Sequence, residues 1–244
     1  GELLDTTVDS FEISGQRLFA AAIRAVPNKP LPDLPPEVCK ITFTSGTTGE
    51  PKGVLLSWAS MQAVVQSLVD ATALQPNDRH LCLMPFAVLL ENIGGLYAPL
   101  WAGATIAILP VADTGLTGAS GLDAKRMVDA LVRTAATTVI LTPQSLQGLI
   151  DVVASETVSP LALRFAAVGG APVSRRLLQR AAELRLPVYE GYGLSECVSV
   201  VSLNTPLANR PGSVGLPLPH VRVSVADDGE VWVGGGGFVG YLGH

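Results

Sequence analysis

Two kinds of apolar segment alternate between residues 41 and 184. Short apolar runs such as 81–84 predict buried strands, and longer segments with an apolar side, such as 57–72, predict helices. Strands that alternate with helices of this length indicate crossover units, in which helices cover both faces of a parallel sheet. The predicted strands are 41–44, 81–84, 104–109, 137–141, 163–168 and 187–189, and the predicted helices are 57–72, 91–101, 122–133, 143–153 and 174–184.

The two ends of the chain depart from this alternation. Apolar residues near a 3.6-residue period behind Ser10 predict a helix over 10–25, and the five prolines between 27 and 36 predict an extended connector. Strict alternation over 221–225 and a return strand at 230–233 predict a hairpin. The predicted fold class is α/β, with largely parallel sheets flanked by helices and the start of a small antiparallel β module at the C-terminal end. The predicted regions are 1–36 (helix and connector), 37–205 (α/β) and 206–244 (start of the β module).

The charge balance excludes one class of function. Sixteen Lys and Arg against 21 Asp and Glu give a formal net charge of −5, whereas a nucleic-acid binder needs a basic face. We therefore expect no nucleic-acid partner. Hydrophobic residues make up 48% of the 244 residues and charged residues 15%, a composition that supplies a core and excludes a disordered chain.

Cysteine spacing and hydropathy bear on the compartment. Cys39, Cys82 and Cys197 are far apart, which argues against structural zinc or a disulfide framework and favours a reducing, cytoplasmic setting. The longest uncharged run, 92–112, contains three glycines and two prolines, so it reads as a buried helix followed by a strand. We expect no signal peptide and no transmembrane segment, while peripheral contact with a membrane stays open.

Residues 44–53 read Thr-Ser-Gly-Thr-Thr-Gly-Glu-Pro-Lys-Gly and lie between one strand and the next strand–helix unit. Their hydroxyls and glycines, followed by Lys52, can present backbone N–H groups, hydroxyl donors and one cation to phosphate oxygens. A polar turn with a surface lysine is the alternative interpretation. The spacing is not that of a P-loop, because Lys52 has Pro51 before it and Gly53 after it.

Residues 190–196 read Glu-Gly-Tyr-Gly-Leu-Ser-Glu and follow the strand predicted at 187–189. Open α/β sheets bind ligands at the carboxyl ends of their strands. There Tyr192 can stack on a purine, Ser195 can donate to a phosphate, and Glu196 can hold Mg²⁺. A glycine-flanked turn with a helix-starting glutamate is an equally good interpretation of this segment alone.

Residues 168–174 read Val-Gly-Gly-Ala-Pro-Val-Ser and follow another predicted strand. Small residues at this position let the backbone approach a flat ligand closely. An ordinary strand-to-helix turn with Ser174 as the N-cap explains the segment equally well when it is read in isolation.

These three segments, in this order, resemble the adenylate-forming superfamily, which contains acyl-CoA synthetases, peptide-synthetase adenylation domains and firefly luciferase. Residues 44–53 match its phosphate-loop signature without a break. Residues 191–196 match its Gly-Tyr-Gly-x-Thr-Glu signature with Ser195 in place of Thr, and 169–172 match its adenine-side loop. Further similarity lies at 210–217, 229–233 and 240–241.

The resemblance implies a ligase that uses ATP to convert a carboxylic acid into an acyl-adenylate and then into a thioester with CoA. The acid supplies its own nucleophile, so catalysis consists of alignment and of neutralising phosphate charge. The implied catalytic residues are Lys52, Ser195 and Glu196, and Glu196 is also the implied Mg²⁺ ligand. Nucleotide contacts are implied for Thr44, Ser45, Gly46, Thr47, Thr48, Gly49, Gly169, Gly170, Ala171, Pro172, Gly191, Tyr192 and Gly193.

Within the superfamily, residues 84–104 look most like long-chain acyl-CoA synthetases, which carry Pro-Leu-x-His-x-x-Glu-Arg here and place it beside the acyl pocket. Val88 stands at the position of the His and Asn92 at that of the Arg. A fatty acid is the expected substrate, but a fatty or an aryl chain suits these apolar residues, and a simple core segment is the alternative. Glu91 is interpreted as a residue that favours a helix N-terminus.

Superfamily members have more sequence before the phosphate loop and continue to a hinge and a C-terminal domain that carries the adenylation lysine. We therefore expect this chain to be a partial large domain, with that C-terminal domain as its missing partner, and to turn over little or nothing alone. An adenylation module that loads a carrier protein and a non-catalytic nucleotide-binding remnant stay open as alternatives. His80 and His220 have no motif around them and are assigned structural roles.

Overall fold

The computed structural model of the chain describes residues 6–13, 16–23, 33–44, 51–117, 121–156 and 158–243, with side chains from residue 33 onward. The chain divides into two compact units, which are Gly1–Leu34 and Pro35–His244.

The first unit contains an antiparallel pair of strands, β1 (Thr6–Ile13) and β2 (Gln16–Ile23). The helix predicted over 10–25 is therefore wrong. Gly15 falls inside the predicted helix, where glycine costs about 1 kcal/mol relative to alanine, and the Ser-Gly pair at 14–15 is a turn signal that the helical interpretation ignored. Most of the predicted connector at 27–36 lies outside the described residues.

A seven-stranded sheet forms the centre of the second unit. Five neighbouring strands are parallel, and two short strands extend the sheet antiparallel beyond them. The largely parallel α/β architecture predicted from the sequence is thus confirmed. In spatial order the strands are β6 (Thr105–Ile108), β5 (Arg79–Cys82), β9 (Thr138–Leu141), β10 (Phe165–Val168), β11 (Val188–Tyr192), β12 (Ser202–Leu203) and β13 (Leu216–Pro217).

The helices that connect these strands begin where the sequence supplies a cap. Ser57, Asp123, Thr142 and Ser174 each accept a hydrogen bond from the backbone N–H three residues on, which satisfies a free donor of the first turn. The predicted cap at Ser174 is confirmed. The α-helices among the described residues are α1 (Trp58–Thr72), α2 (Ala98–Ala102), α3 (Ala124–Thr134), α4 (Pro143–Ser155) and α5 (Arg175–Glu183), and a π-helical segment, Glu91–Tyr97, leads into α2.

Successive residues of the parallel strands face two different cores. One core joins the sheet to α3, α4 and α5, and the other joins it to α1 and the π-helical segment. In the second core, the ring of Phe165 stacks on that of Tyr189 with their centroids 4.6 Å apart. Helices therefore cover both faces of the sheet.

The C-terminal end of α1 is held against the sheet by an ion pair between half-buried Arg164 and buried Asp78. Arg164 Nε donates to Asp78 Oδ1 at 2.6 Å, and the Arg164 terminal N–H groups donate to the carbonyls of Thr72 and Ala73 at 2.9 and 3.0 Å. Burial works to raise the pKa of Asp78, but the hydrogen bonds from Arg164 and Thr137 outweigh it and lower that pKa.

A second sheet carries the ends of the predicted phosphate loop. β4 (Lys52–Ser57) lies between β3 (Val38–Thr44) and β16 (Gly240–Tyr241) and is antiparallel to both. Thr44 pairs directly with Lys52. The loop therefore leaves and rejoins this sheet at one place.

Two short hairpins complete the second unit. β14 (Val221–Val225) and β15 (Val231–Gly235) form the hairpin that the sequence predicted, and β7 (Leu116–Thr117) pairs with β8 (Gly121–Leu122). Across the described part of the chain, every helix is too short or too polar to cross a membrane.

Candidate functional site

Two of the predicted site segments meet at Tyr241. Its hydroxyl donates to Glu196 Oε1 at 2.8 Å, and Lys52 Nζ lies 5.5 Å from the centroid of its ring. The hydrogen bond to Glu196 raises the pKa of the Tyr241 hydroxyl. Tyr241 therefore joins the end of the predicted phosphate loop to the turn after β11. In the sequence, Tyr241 lies in the short stretch of similarity at 240–241, which gives no indication of these contacts.

The predicted phosphate loop is framed by Thr44 and Lys52, both half-buried. The residues predicted to bind phosphate between them lie outside the described residues, and their contacts stay predictions. They are Ser45, Gly46, Thr47, Thr48 and Gly49.

Residues 169–172 and 191–193 lie side by side at the carboxyl ends of β10 and β11. A Cβ on Gly169 would be 3.3 Å from the carbonyl oxygen of Gly191. Gly170 has φ +81°, a conformation that L side chains rarely adopt, and it borders open space. Ala171, Pro172 and Tyr192 are exposed. The structure thus brings together the two segments predicted to enclose adenine.

Gly193 gives the turn after β11 its sharp course, because a Cβ there would overlap the carbonyl oxygen of Ser199. The chain then enters a short 3₁₀ turn, Ser195–Cys197. Ser195 borders the cavity, and Glu196 points to Tyr241. The two predicted catalytic residues of this segment therefore serve different parts of the site.

A cavity of about 260 Å³ extends from these glycines along the face of the sheet that α1 covers. Its mouth is formed by Gly169, Gly170, Tyr192 and Ser195, and its far end by His80 and Thr138. Val88, at the position where long-chain synthetases carry a histidine, also borders it. The walls are mostly apolar and include Leu68, Leu89, Ala98, Ile140, Phe165 and Ala167.

The far end of the cavity is built on a buried polar cluster. The Glu91 side chain is 0% exposed, and its Oε1 lies 3.1 Å from His80 Nε2. Glu91 lies in the first turn of the π-helical segment, as the sequence predicted, but its buried carboxylate also contacts His80 on β5, which the sequence did not indicate. His80, which was assigned a structural role, also contacts the cavity. His220 lies elsewhere, with Nε2 3.1 Å from the Val200 carbonyl oxygen and its pKa lowered by burial.

His80, Cys82 and Glu91 place three potential metal ligands within 4.8 Å of one another. Metal binding requires the cysteine as a thiolate. Burial, together with the adjacent Glu91 carboxylate, raises the pKa of the Cys82 thiol and keeps it protonated. We therefore interpret this group as a hydrogen-bonded cluster. The Glu196 carboxylate, by contrast, offers oxygen ligands, which Mg²⁺ prefers, and Tyr241 donates to its Oε1.

Glu190 lies beneath the same turn with its carboxylate buried at 9% exposure. Among the described residues, none offers a hydrogen bond to its Oε2. Burial raises the pKa of this carboxyl, although the backbone N–H groups of Gly212 and Val173 act against the change.

A sequence profile described as AMP-binding enzyme matches residues 4–242. The chain belongs to this family. It is 29% identical over 243 residues to an indoleacetate–CoA ligase of Aromatoleum aromaticum, a match that covers 93% of this chain and 44% of that protein. The resemblance drawn from residues 44–53, 169–172 and 191–196 is thus confirmed at the level of the family.

Solved structures of AMP-binding enzymes share the fold. The anthranilate CoA ligase AuaEII in complex with anthranoyl-AMP matches with a TM-score of 0.75 at 20% identity, over 85% of this chain and 41% of that one. The o-succinylbenzoate CoA synthetase (MenE) of Bacillus subtilis, in complex with ATP and a magnesium ion, matches with a TM-score of 0.70 at 22% identity, over 84% and 42%. The chain spans less than half the length of each of these proteins.

Proposed function

We propose that this chain forms the nucleotide- and acid-binding part of an acid–CoA ligase that activates a carboxylic acid with ATP. The observation that carries the proposal is the meeting of Lys52 and Glu196 at Tyr241, beside a cavity whose mouth is formed by Ser195 and Tyr192. Membership of the AMP-binding family and similarity to a ligase named for indoleacetate support it.

In the proposed reaction, a carboxylate oxygen of the acid attacks the α-phosphorus of ATP, and pyrophosphate leaves with the electron pair of the broken P–O bond. The CoA thiol then attacks the acyl carbon, loses its proton and displaces AMP, leaving a thioester. The nucleophile and the leaving groups come from the substrates. The protein therefore contributes alignment and stabilises developing phosphate charge.

The predicted site residues receive the following proposed roles. Lys52, with Thr44 and the loop residues 45–49, holds the β- and γ-phosphates, and Ser195 contacts the α-phosphate. Tyr192 packs on adenine opposite residues 169–172. Glu196 would hold Mg²⁺, which supplies positive charge to the phosphate oxygens.

The cavity is proposed to hold the acid with its carboxylate toward Ser195 and its apolar body along Phe165 and Ala167. Apolar walls suit both a fatty and an aryl chain. The fatty acid expected from residues 84–104 therefore stays a proposal. An aromatic acid is the alternative, because the similar ligase of Aromatoleum aromaticum is named for indoleacetate.

Binding of MgATP to the chain, followed by calorimetry, tests the nucleotide site. Lys52→Ala and Glu196→Ala remove charged contacts and should each weaken binding roughly tenfold to a hundredfold. Lys125→Ala and Glu156→Ala are matched controls, since these residues form a surface pair away from the cavity. Equal affinities in all four variants would refute the assigned roles.

Pyrophosphate exchange with a panel of carboxylic acids, in the longest natural protein that contains this sequence, tests the chemistry. The proposed ligase should exchange pyrophosphate only when a suitable acid is present, and then form a CoA thioester. Nucleotide binding without any exchange would favour a non-catalytic remnant, and transfer to a carrier protein but not to CoA would favour an adenylation module.

A further inference from the structure

The cavity has a defined depth along the sheet. Phe165, Ala167 and Gly169 lie on one face of β10 and its carboxyl end, and all three line the cavity. Gly169 lies four positions after Phe165, which corresponds to about 13 Å of extended chain. The mouth, where the acid's carboxylate is proposed to lie, is thus well separated from the far end, where His80 pairs with Thr138 across adjacent strands.

That far end is polar, unlike the walls. His80 is 3% exposed and Thr138 4%, and a hydrogen bond of 2.9 Å joins His80 Nδ1 to Thr138 Oγ1. His80 Nε2 bonds to Glu91 Oε1, and the backbone N–H of Met84 donates to Glu91 Oε2 at 3.2 Å. Gly95 makes room for the cluster, since a Cβ there would be 2.7 Å from His80 Nε2. The backbone at Gly95 thus leaves space for the polar cluster, and the far end of the cavity is polar where apolar side chains could have packed.

The directions of these hydrogen bonds follow from the donor inventory. A carboxylate oxygen accepts, so His80 Nε2 carries the proton that it shares with Glu91 Oε1. In the tautomer that is protonated at Nε2, Nδ1 is an acceptor, and the Thr138 hydroxyl donates to it. The Thr138 oxygen therefore retains acceptor capacity at the floor of the cavity, while its only proton is already used.

We propose that Thr138, oriented by His80 and Glu91, selects carboxylic acids that carry a hydroxyl or N–H donor at the end remote from the carboxylate. The inference rests on the proposed function, because that function places the acid in this cavity. Thr138 would contact the substrate directly, whereas His80 and Glu91 are positioning residues that set the direction of its hydrogen bond. A buried acceptor left without a donor discriminates against acids that lack one.

Acyl sulfamoyladenosines, stable analogues of acyl-adenylates, provide the test without requiring turnover. Three analogues differ only at the para position of a phenylpropanoyl group, which bears a hydroxyl, a hydrogen or an aldehyde. The chain should bind the para-hydroxyl analogue about fivefold to tenfold more tightly than the unsubstituted one, and the aldehyde, which only accepts, should gain nothing. Thr138→Val should abolish the preference, and Thr138→Ser should keep it.

Glu91→Gln provides a second, independent variant. The amide oxygen should keep the hydrogen bond from Met84, so the amide NH₂ faces His80 Nε2 and makes it an acceptor. The proton then moves to Nδ1, which donates to Thr138, and the Thr138 hydroxyl proton is free for the ligand. The variant should therefore prefer the aldehyde over the hydroxyl analogue, a reversal that a purely structural role for Glu91 does not produce.

The outcomes separate this inference from the proposed function. Equal binding of the three analogues by the wild-type chain, or a preference for the aldehyde, would overturn the role of Thr138 while leaving the ligase proposal intact. No binding of any analogue or of MgATP would overturn both. Thermal unfolding of each variant reports whether it has folded.

Discussion

The Tyr241 hydroxyl and the Glu196 carboxylate are joined by a hydrogen bond of 2.8 Å although 45 residues separate them in the sequence. Lys52 Nζ lies 5.5 Å from the centre of the same ring. The bond fixes the carboxylate proposed to hold Mg²⁺ relative to the strand that follows the phosphate loop. It thus links the two ends of the proposed nucleotide site.

Tyr241→Phe removes this hydrogen bond and keeps the ring beside Lys52. We expect the free energy of unfolding to fall by about 1 kcal/mol, because Glu196 loses a donor. MgATP affinity should fall severalfold, because the carboxylate is less well positioned. Urea unfolding and calorimetry measure the two effects. Tyr97→Phe is the matched control, and an equal change in both variants would contradict the assignment.

The contribution of the Tyr241 bond should depend on pH in the alkaline range. It is present in full below the ordinary tyrosine pKa of 10.0, and it is lost as the pH rises through the raised pKa of the folded state. The stability difference between the wild type and Tyr241→Phe should therefore be constant near neutral pH and shrink as the pH rises above 10.0. Urea unfolding over this range measures it, and a difference that shrinks on acidification would be inconsistent with the bond.

Glu190→Gln should stabilise the protein at neutral pH. Burial raises the pKa of the Glu190 carboxyl in the folded protein. The contribution of Glu190 to stability is therefore most favourable below the ordinary pKa of 4.5, and it becomes unfavourable as the pH rises through the pKa of the folded state. The glutamine mimics the protonated form, so a gain of about 1 kcal/mol at neutral pH should disappear on acidification. Thermal unfolding measures this change. Glu37→Gln, at an exposed site, should show no comparable gain.

Two glycines of the site should respond differently to alanine. Gly193→Ala forces a Cβ into the Ser199 carbonyl oxygen and should lower the free energy of unfolding by about 3 kcal/mol. In Gly170→Ala the new Cβ has no atom within 4 Å, so only the strain of the φ of +81° remains. This strain should lower the free energy of unfolding by about 1 kcal/mol. Denaturant unfolding of both variants compares them. Equal losses would show that the turn at Gly193 relaxes.

The alternating pattern between residues 81 and 184 was enough to predict the parallel sheet, because strands buried on both faces and amphipathic helices leave different periods in the sequence. The strand predicted at 41–44 lies instead in the antiparallel sheet with β4. Local chemistry was enough for the cap at Ser174 and the hairpin at 221–225. The interpretation of 10–25 was wrong because a few apolar residues near a helical period outweighed the Ser-Gly turn signal.

The polar cluster beneath the cavity could not be predicted from local sequence. Glu91 begins a helical segment, as an exposed helix-starting glutamate would, and only the packing of that segment on β5 turns it toward His80. Thr138 looks like any β-branched strand residue. The partner of each residue lies on a different element, so no local pattern reports the contact. The role of Tyr241 was missed for the same reason.

The position of β16 beside β4 has a consequence for synthesis on the ribosome. β3 and β4 emerge together and can pair at once, but Gly240 and Tyr241, which pair with Leu55 and Val54, lie far along the sequence and emerge much later. Contacts between such distant residues form slowly. A nascent chain thus carries the proposed phosphate loop on an incomplete sheet until β16 has emerged, so nucleotide capture should follow the synthesis of β16.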